Sequence, residues 1–223
     1  ICVPFDCTAD CVHKVCGTAD GCGGACGAPD CTLNTSNCVL YVNENAPLPV
    51  GNGESWDQAT KNLQYALSVA ATPVSSCAHL EIWVAAGTYL ASTNGDRTAS
   101  FVLPDGVKIL GGFKGDETKV SDANPKTHKT YLSGDLNDDD SSSDNSTSKV
   151  DNSHTIVTGT DLSAATVFSG FIIQHAWNDG ADGKGGGMYL KSSDPRVLDV
   201  EFFENTVLCA TSTSYCGGGA IYI

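Results

Sequence analysis

Along most of the chain, apolar residues come in brief alternating runs separated by polar turns rich in Gly, Asn, Asp and Ser. Alternation over so few positions predicts short β-strands half-buried on one face. Val39–Val42, Leu80–Val84, Thr88–Leu90, Phe101–Leu103 and Val107–Leu110 read in this way. One stretch departs from the pattern. From Ser55 to Ala71, Trp56, Ala59, Leu63, Ala66, Leu67 and Ala70 fall at near-helical spacing, and Ser55 or Asp57 can cap the start. The spacing predicts one amphipathic helix over 55–71.

Beyond residue 130 the strands recur: "TYLSGD", "HTIVTG", "TVFSGFIIQHA", "GGGMYLKS", "RVLDVEFFENT" and "GGGAIYI". Phe168, Phe171 and Ile173 return as Val197, Val200 and Phe202, a shift of 29 positions, and "GGGMYL" matches "GGGAIY" at a shift of 32. Several short strands per repeat of about 20–35 residues is the signature of a β-solenoid, in which each coil buries its inner face only by stacking on the next. Turn glycines suit left-handed corners. The helix over 55–71 would cap one end. The run breaking off at Ile223 reads as a stop in mid-coil, hence as a fragment of a longer protein.

Composition sharpens the picture. The chain has 223 residues, with 12 Lys+Arg against 26 Asp+Glu and a net charge of -14. Nucleic acid and anionic membrane surfaces repel such a chain, whereas calcium or a neutral glycan does not. No window is long and apolar enough for a membrane span. The 11 cysteines place the chain in an oxidising compartment, secreted or at the cell surface. Cys2, Cys7, Cys11, Cys16, Cys22, Cys26, Cys31 and Cys38 crowd the first 38 residues, and the spacing Cys7–Cys11–Cys16 returns as Cys22–Cys26–Cys31. Residues 1–38 therefore read as a duplicated, disulfide-stapled module whose pairing the spacing leaves open, and 39–223 as the solenoid. Zinc at "CGGAC" is the rival reading, but the gaps are not those of a CxxC pair. Cys209 and Cys216 are spaced to close a turn, and Cys77 is a partner for Cys38. The start at Ile1, without Met or a leader, fits a removed signal peptide or a cut from a longer chain.

The order "EIWVAAGTYL", "FVLPDGVKILGGFKGDET", "YLSGDL", "DNSHTIVTG", "FSGFIIQHA" and "GGGMYL" carries a family likeness. It resembles the opening of secreted right-handed parallel β-helices of the pectin-lyase-like superfamily. More narrowly, it is similar to bacterial surface proteins related to polymorphic outer-membrane proteins. The likeness spans about residues 39–223 and leaves out the cysteine-rich head. It implies a right-handed parallel β-helix, with an N-terminal capping helix, behind the small disulfide-rich segment. For function it implies either a surface protein or a polysaccharide lyase or glycoside hydrolase, because the fold hosts both.

Three sets of residues carry candidate chemistry. The stretch 133–153 packs Asp135, Asn137, Asp138, Asp139, Asp140 and Asp144 with few counter-charges, a hard-oxygen set that suits calcium. A solvated acidic loop would look the same. Asp199 and Glu201 alternate with Leu198, Val200 and Phe202, so both point outward from one expected strand as a hydrolase-type acid/base pair. An ordinary solvated strand shares that pattern. Lys108, beside Gly106 and Gly111, is a separate candidate for a lyase-type base, with a solvated lysine the commoner case. His175 reads as packed or solvated. Trp177, Tyr189, Tyr215 and Tyr222 are candidates for a sugar platform, with inward stacking of Tyr189 on Tyr222 the commoner arrangement. The expected role is an extracellular, non-enzymatic β-helix: structural, adhesive, or binding a glycan or another surface or matrix protein, with self-assembly as a further role.

Overall fold

The computed structural model describes residues 37–47, 51–72, 77, 79–140, 147–180, 183–209 and 216–223. Of the module expected over 1–38, only Asn37 and Cys38 are described. The described part opens with β1 (Val39–Val42) and α1 (Leu63–Ala70) and then runs in rounds. The first round is β2 (Glu81–Ala85), β3 (Gly87–Leu90) and β4 (Phe101–Val102); the second is β5 (Lys108–Phe113), β6 (Thr130–Ser133) and β7 (Val157–Thr160). The third is β8 (Val167–Ser169), β9 (Ile172–Gln174), β10 (Trp177–Asn178) and β11 (Met188–Lys191). The fourth is β12 (Arg196–Leu198), β13 (Glu201–Phe203), β14 (Thr206–Val207) and β15 (Ile221–Tyr222).

Each round contributes one strand to each of three sheets, ordered β1–β2–β5–β8–β12, β3–β6–β9–β13 and β4–β7–β11–β15, while β10 pairs with β14. Every strand pair among the described residues is parallel. The protein is all-β in class. Parallel strands in one sheet need a crossover between them, and here the other two sheets supply it.

The register turns alternation into interior columns. Leu40, Ile82, Ile109, Phe168 and Val197 stand in line on the first sheet. Tyr89, Leu132, Ile173 and Phe202 do so on the second, and Phe101, Val157, Met188 and Ile221 on the third. All are buried except the fourth-round members Val197, Phe202 and Ile221, which are half-covered. Each full burial contributes about 1.5–3 kcal/mol. Outside the first sheet, Tyr41, Trp83, Phe113 and Trp56 form a second aromatic layer, with Trp83 stacked on Phe113 at 4.8 Å.

The corners also stack. Gly170 and Asp199, each in the left-handed region (φ 84° and 49°), lie 29 positions apart, as do His175 and Glu204 (64° and 50°). Asp161 and Ser192 (54° and 50°) lie 31 apart, the offset by which β7 pairs with β11. Glycine is thus not the only residue at the left-handed corners: Asp, His, Ser and Glu take the same conformation at a strain of about 1–3 kcal/mol each. Gly170 is obligatory for a second reason. A Cβ there would lie 2.7 Å from the Gly111 carbonyl oxygen of the preceding round.

Two expectations shift. The helix starts at Leu63, with Asn62 Oδ1 accepting from the Tyr65 N–H at 2.9 Å, and not near Ser55. The two ends of 53–60 bond to β1 and its edge instead: Tyr41 donates to Gly53, Thr60 to Tyr41, and Asn43 to Thr60, while Gly53 donates to Gln58, Gln58 to Ser55 and Ala59 to Trp56 in turns between them. The shortened helix lays Leu63, Ala66, Leu67 and Ala70 against β1, β2 and β4. The second shift concerns the glycine-led strands, which pair 33 positions apart, not 32. That places Met188 on Ile221 in the interior and aligns the left-handed Gly185 and Gly218.

Replacing Phe168, stacked on Phe171 at 4.5 Å, by Ala should cost about 3–5 kcal/mol of unfolding free energy in denaturant titration. Phe202→Ala, one round further in a half-covered place, should cost about half as much; equal losses would contradict the column picture.

Candidate functional site

The Asp-rich stretch leaves β6 at Gly134 and returns to β7 after Ser153. Asp135 is buried, and its two carboxylate oxygens accept the backbone N–H groups of Asp139 (3.2 Å) and Asp140 (3.0 Å), which folds the following turn around it. Asp140 in turn accepts from Ser148 Oγ at 2.9 Å and Asn152 Nδ2 at 2.7 Å. Asp151 accepts from the Asn137 N–H at 3.1 Å. Two groups of donor atoms lie within 4.8 Å of one another: Asp135, Asp139 and Asp151, and Asp135, Asp140 and His175.

Three of the six expected ligands, Asp135, Asp139 and Asp140, thus come together. Asp138 is exposed and belongs to neither group, Asn137 is exposed, and Asp144 lies outside the described residues. Asp151 and His175 complete the groups instead. His175 is brought from the corner after β9 because β6 and β9 are neighbours in the second sheet. Nothing local in the sequence marks that meeting.

A polar clamp backs the loop. Arg97, from the connection between β3 and β4, donates Nε to the Asn152 carbonyl at 2.6 Å. Its Nη2 reaches the Trp177 carbonyl at 3.1 Å and Asp179 Oδ1 at 3.0 Å. One guanidinium so ties three rounds together. His154 Nε2 lies 3.2 Å from the same Asp179 oxygen. Burial, and then the Arg97 charge, hold the His154 pKa below the usual imidazole value, against the opposing pull of Asp179 and Asp96. Lys149 lies over the Trp177 ring at 5.8 Å.

The expected acid/base set is arranged differently. Asp199 and Glu201 are not two outward residues of one strand. Asp199 is the left-handed corner between β12 and β13, and Glu201 opens β13. The bend arises because Asp199 occupies the corner that Gly170 occupies one round earlier. Both acids line a surface groove with Asn124, Pro125 and Lys126. Lys129 pairs with Glu201 at 3.2 Å. Lys108 is not in this groove; it lies on the first sheet, 2.8 Å from Glu81. Burial raises the Glu81 pKa, but hydrogen bonds from Lys108 and Trp83 outweigh it and leave it below the usual carboxylate value.

Tyr189 and Tyr222 are register partners with ring centroids 5.7 Å apart. They point outward, opposite the buried Met188 and Leu190, with Lys184 over the Tyr222 ring. The inward stacking expected of them does not occur, because Met188 fills the interior column. Trp177 is half-buried beneath Lys149, and Tyr215 lies outside the described residues. Cys38 is bonded to Cys77 and Cys209 to Cys216, with Cα–Cα distances of 5.5 and 5.7 Å. Cys2, Cys7, Cys11, Cys16, Cys22, Cys26 and Cys31 lie outside the described residues. Comparisons with family models, curated proteins and solved structures found no match. The functional reading therefore rests on the geometry.

Arg97→Ala should lower the unfolding free energy by about 3 kcal/mol, since it strips charge-assisted hydrogen bonds from two carbonyls and a carboxylate. His154 gives a pH dependence of known sign. Its folded pKa lies below the unfolded one, so stability is retained above the unfolded value of about 6.5 and falls as pH drops through it toward the folded value. Chemical denaturation at pH 7.5 and 5.5 should show a smaller acid-side loss in His154→Gln than in the native protein.

Proposed function

We propose that the chain forms a right-handed parallel β-helix of the pectin-lyase-like kind and serves outside the cell as a surface protein with a structural, adhesive or glycan- or partner-binding role. The observation that carries this reading is the stacking of columns and left-handed corners across three parallel sheets. Such an array makes a stiff spacer from which loops project. Right-handedness is favoured because parallel crossovers take that hand in about 98% of cases. The two disulfides among the described residues support an oxidising compartment. No helix among the described residues is long and apolar enough to cross a membrane. A divalent cation in the Asp-rich loop belongs to this reading as a stabilising element. The outward-facing, half-buried Tyr189–Tyr222 pair offers a ring surface on which a neutral sugar can stack.

The groove holding Asp199 and Glu201 favours a second reading, a polysaccharide lyase or glycoside hydrolase. Its weakness is the setting: Glu201 is neutralised by Lys129, and Lys108 is neutralised by Glu81 on another sheet.

One assay separates the two. The purified chain is incubated with immobilised acidic and neutral polysaccharides, and both retention and new chain ends are measured. The surface reading expects retention without turnover, weakened at least several-fold in Tyr189→Ala. Unsaturated or reducing ends that vanish in Asp199→Asn or Glu201→Gln would establish the enzyme instead.

A further inference from the structure

Asn152 is wholly buried, and its amide oxygen has no hydrogen-bond partner among the described residues. Its orientation is fixed by its other end: Nδ2 donates to Asp140 Oδ2 and to the His175 carbonyl, both at 2.7 Å. Exchanging the amide oxygen and nitrogen would set oxygen against two oxygen acceptors, so the orphan is Oδ1. One partner of the nitrogen is a carboxylate of the cluster and the other is the main-chain carbonyl of a cluster residue, so the amide borders the cluster. A buried acceptor left unpaired is costly, and few such groups persist without a partner.

We propose that Asp135, Asp140 and His175, with Asn152 Oδ1, hold a divalent transition-metal ion of the zinc class, which staples the loop after β6 to the corner after β9 in the next round. This inference names the cation that the surface-protein reading assigns to the Asp-rich loop, and its metal test does not depend on the adhesive or glycan-binding role. The carboxylates have the capacity for it. Each oxygen of Asp135 accepts one backbone N–H, and each oxygen of Asp140 accepts one side-chain donor. One lone pair per oxygen is left for a cation. Glu204 lies 3.7 Å from His175 Nε2, so with Nδ1 as the ligand it would stand where an outer carboxylate commonly orients a ligating imidazole.

The oxygen-only group, Asp135, Asp139 and Asp151, is the calcium alternative. It shares Asp135, so the two groups cannot both be filled. The orphan amide belongs to the histidine-containing group, and Asp139 is exposed. An imidazole among carboxylates selects zinc over calcium.

The test uses the full chain stripped with a chelator, and follows thermal unfolding with added Zn2+ or Ca2+ and the visible spectrum with Co2+. Zn2+ should raise Tm by about 5 °C or more at saturation, and Ca2+ by much less. His175→Asn, which tolerates the left-handed corner, and Asp140→Asn should each abolish the Zn2+ shift, while Asp139→Asn keeps it. The Co2+ spectrum should lack a thiolate charge-transfer band. A Ca2+ shift lost in Asp139→Asn but kept in His175→Asn would overturn the proposal in favour of the oxygen-only site. A Zn2+ shift kept in both His175→Asn and Asp140→Asn would assign the metal to cysteines elsewhere, and no shift with either ion would reduce the cluster to hydrogen bonds. Either result also overturns it.

Discussion

Each round can bury its apolar side chains only if the next round lays a residue directly over them, and the rest of the architecture follows from this demand. Leu40, Ile82, Ile109 and Phe168 meet it on one sheet, and Phe101, Val157 and Met188 on another. A slip of one residue in any strand would turn its inward residues to solvent. The corners must therefore recur at the same offset as the strands. That is why Asp199 and Glu204 adopt left-handed backbone where no glycine is present. Corner strain is tolerated because the columns on both sides over-determine it.

The same demand sets where chemistry can gather. Strands are short, and their outward faces are divided among three sheets, so two outward residues close in sequence are soon carried apart by a corner. Asp199 and Glu201 illustrate this. Residues far apart in the chain meet when their loops leave adjacent strands of one sheet. The loop after β6 reaches the corner after β9 in that way, joining Asp135 and Asp140 to His175. Arg97 bridges rounds by the same logic from the opposite side, binding carbonyls of Asn152 and Trp177.

Much of the fold was legible in the chain. The strand positions, the 29-residue return of Phe168 as Val197 and of Ile173 as Phe202, and the bonds Cys38–Cys77 and Cys209–Cys216 agree with reading by alternation and spacing. The site was legible only in part. Asp135, Asp139 and Asp140 stand out as an acidic run, but Asn152 and His175 carry no local mark.

What the sequence determined by itself is whatever depends on neighbours two to four positions away: strand alternation, the apolar face of α1, and the residues able to turn a corner. Tertiary structure decided the start of the helix, since Gly53 and Thr60 bond to β1 and its edge and hold the turns between them out of a helical ladder. It also decided the 33-residue pairing of Tyr189 with Tyr222 and their outward direction. It alone decided that the acidic loop meets the next round's histidine. The physical reason is the same in each case. These outcomes depend on how far intervening loops offset one round against the next, and that offset is fixed by filling the shared interior, not by any local pattern.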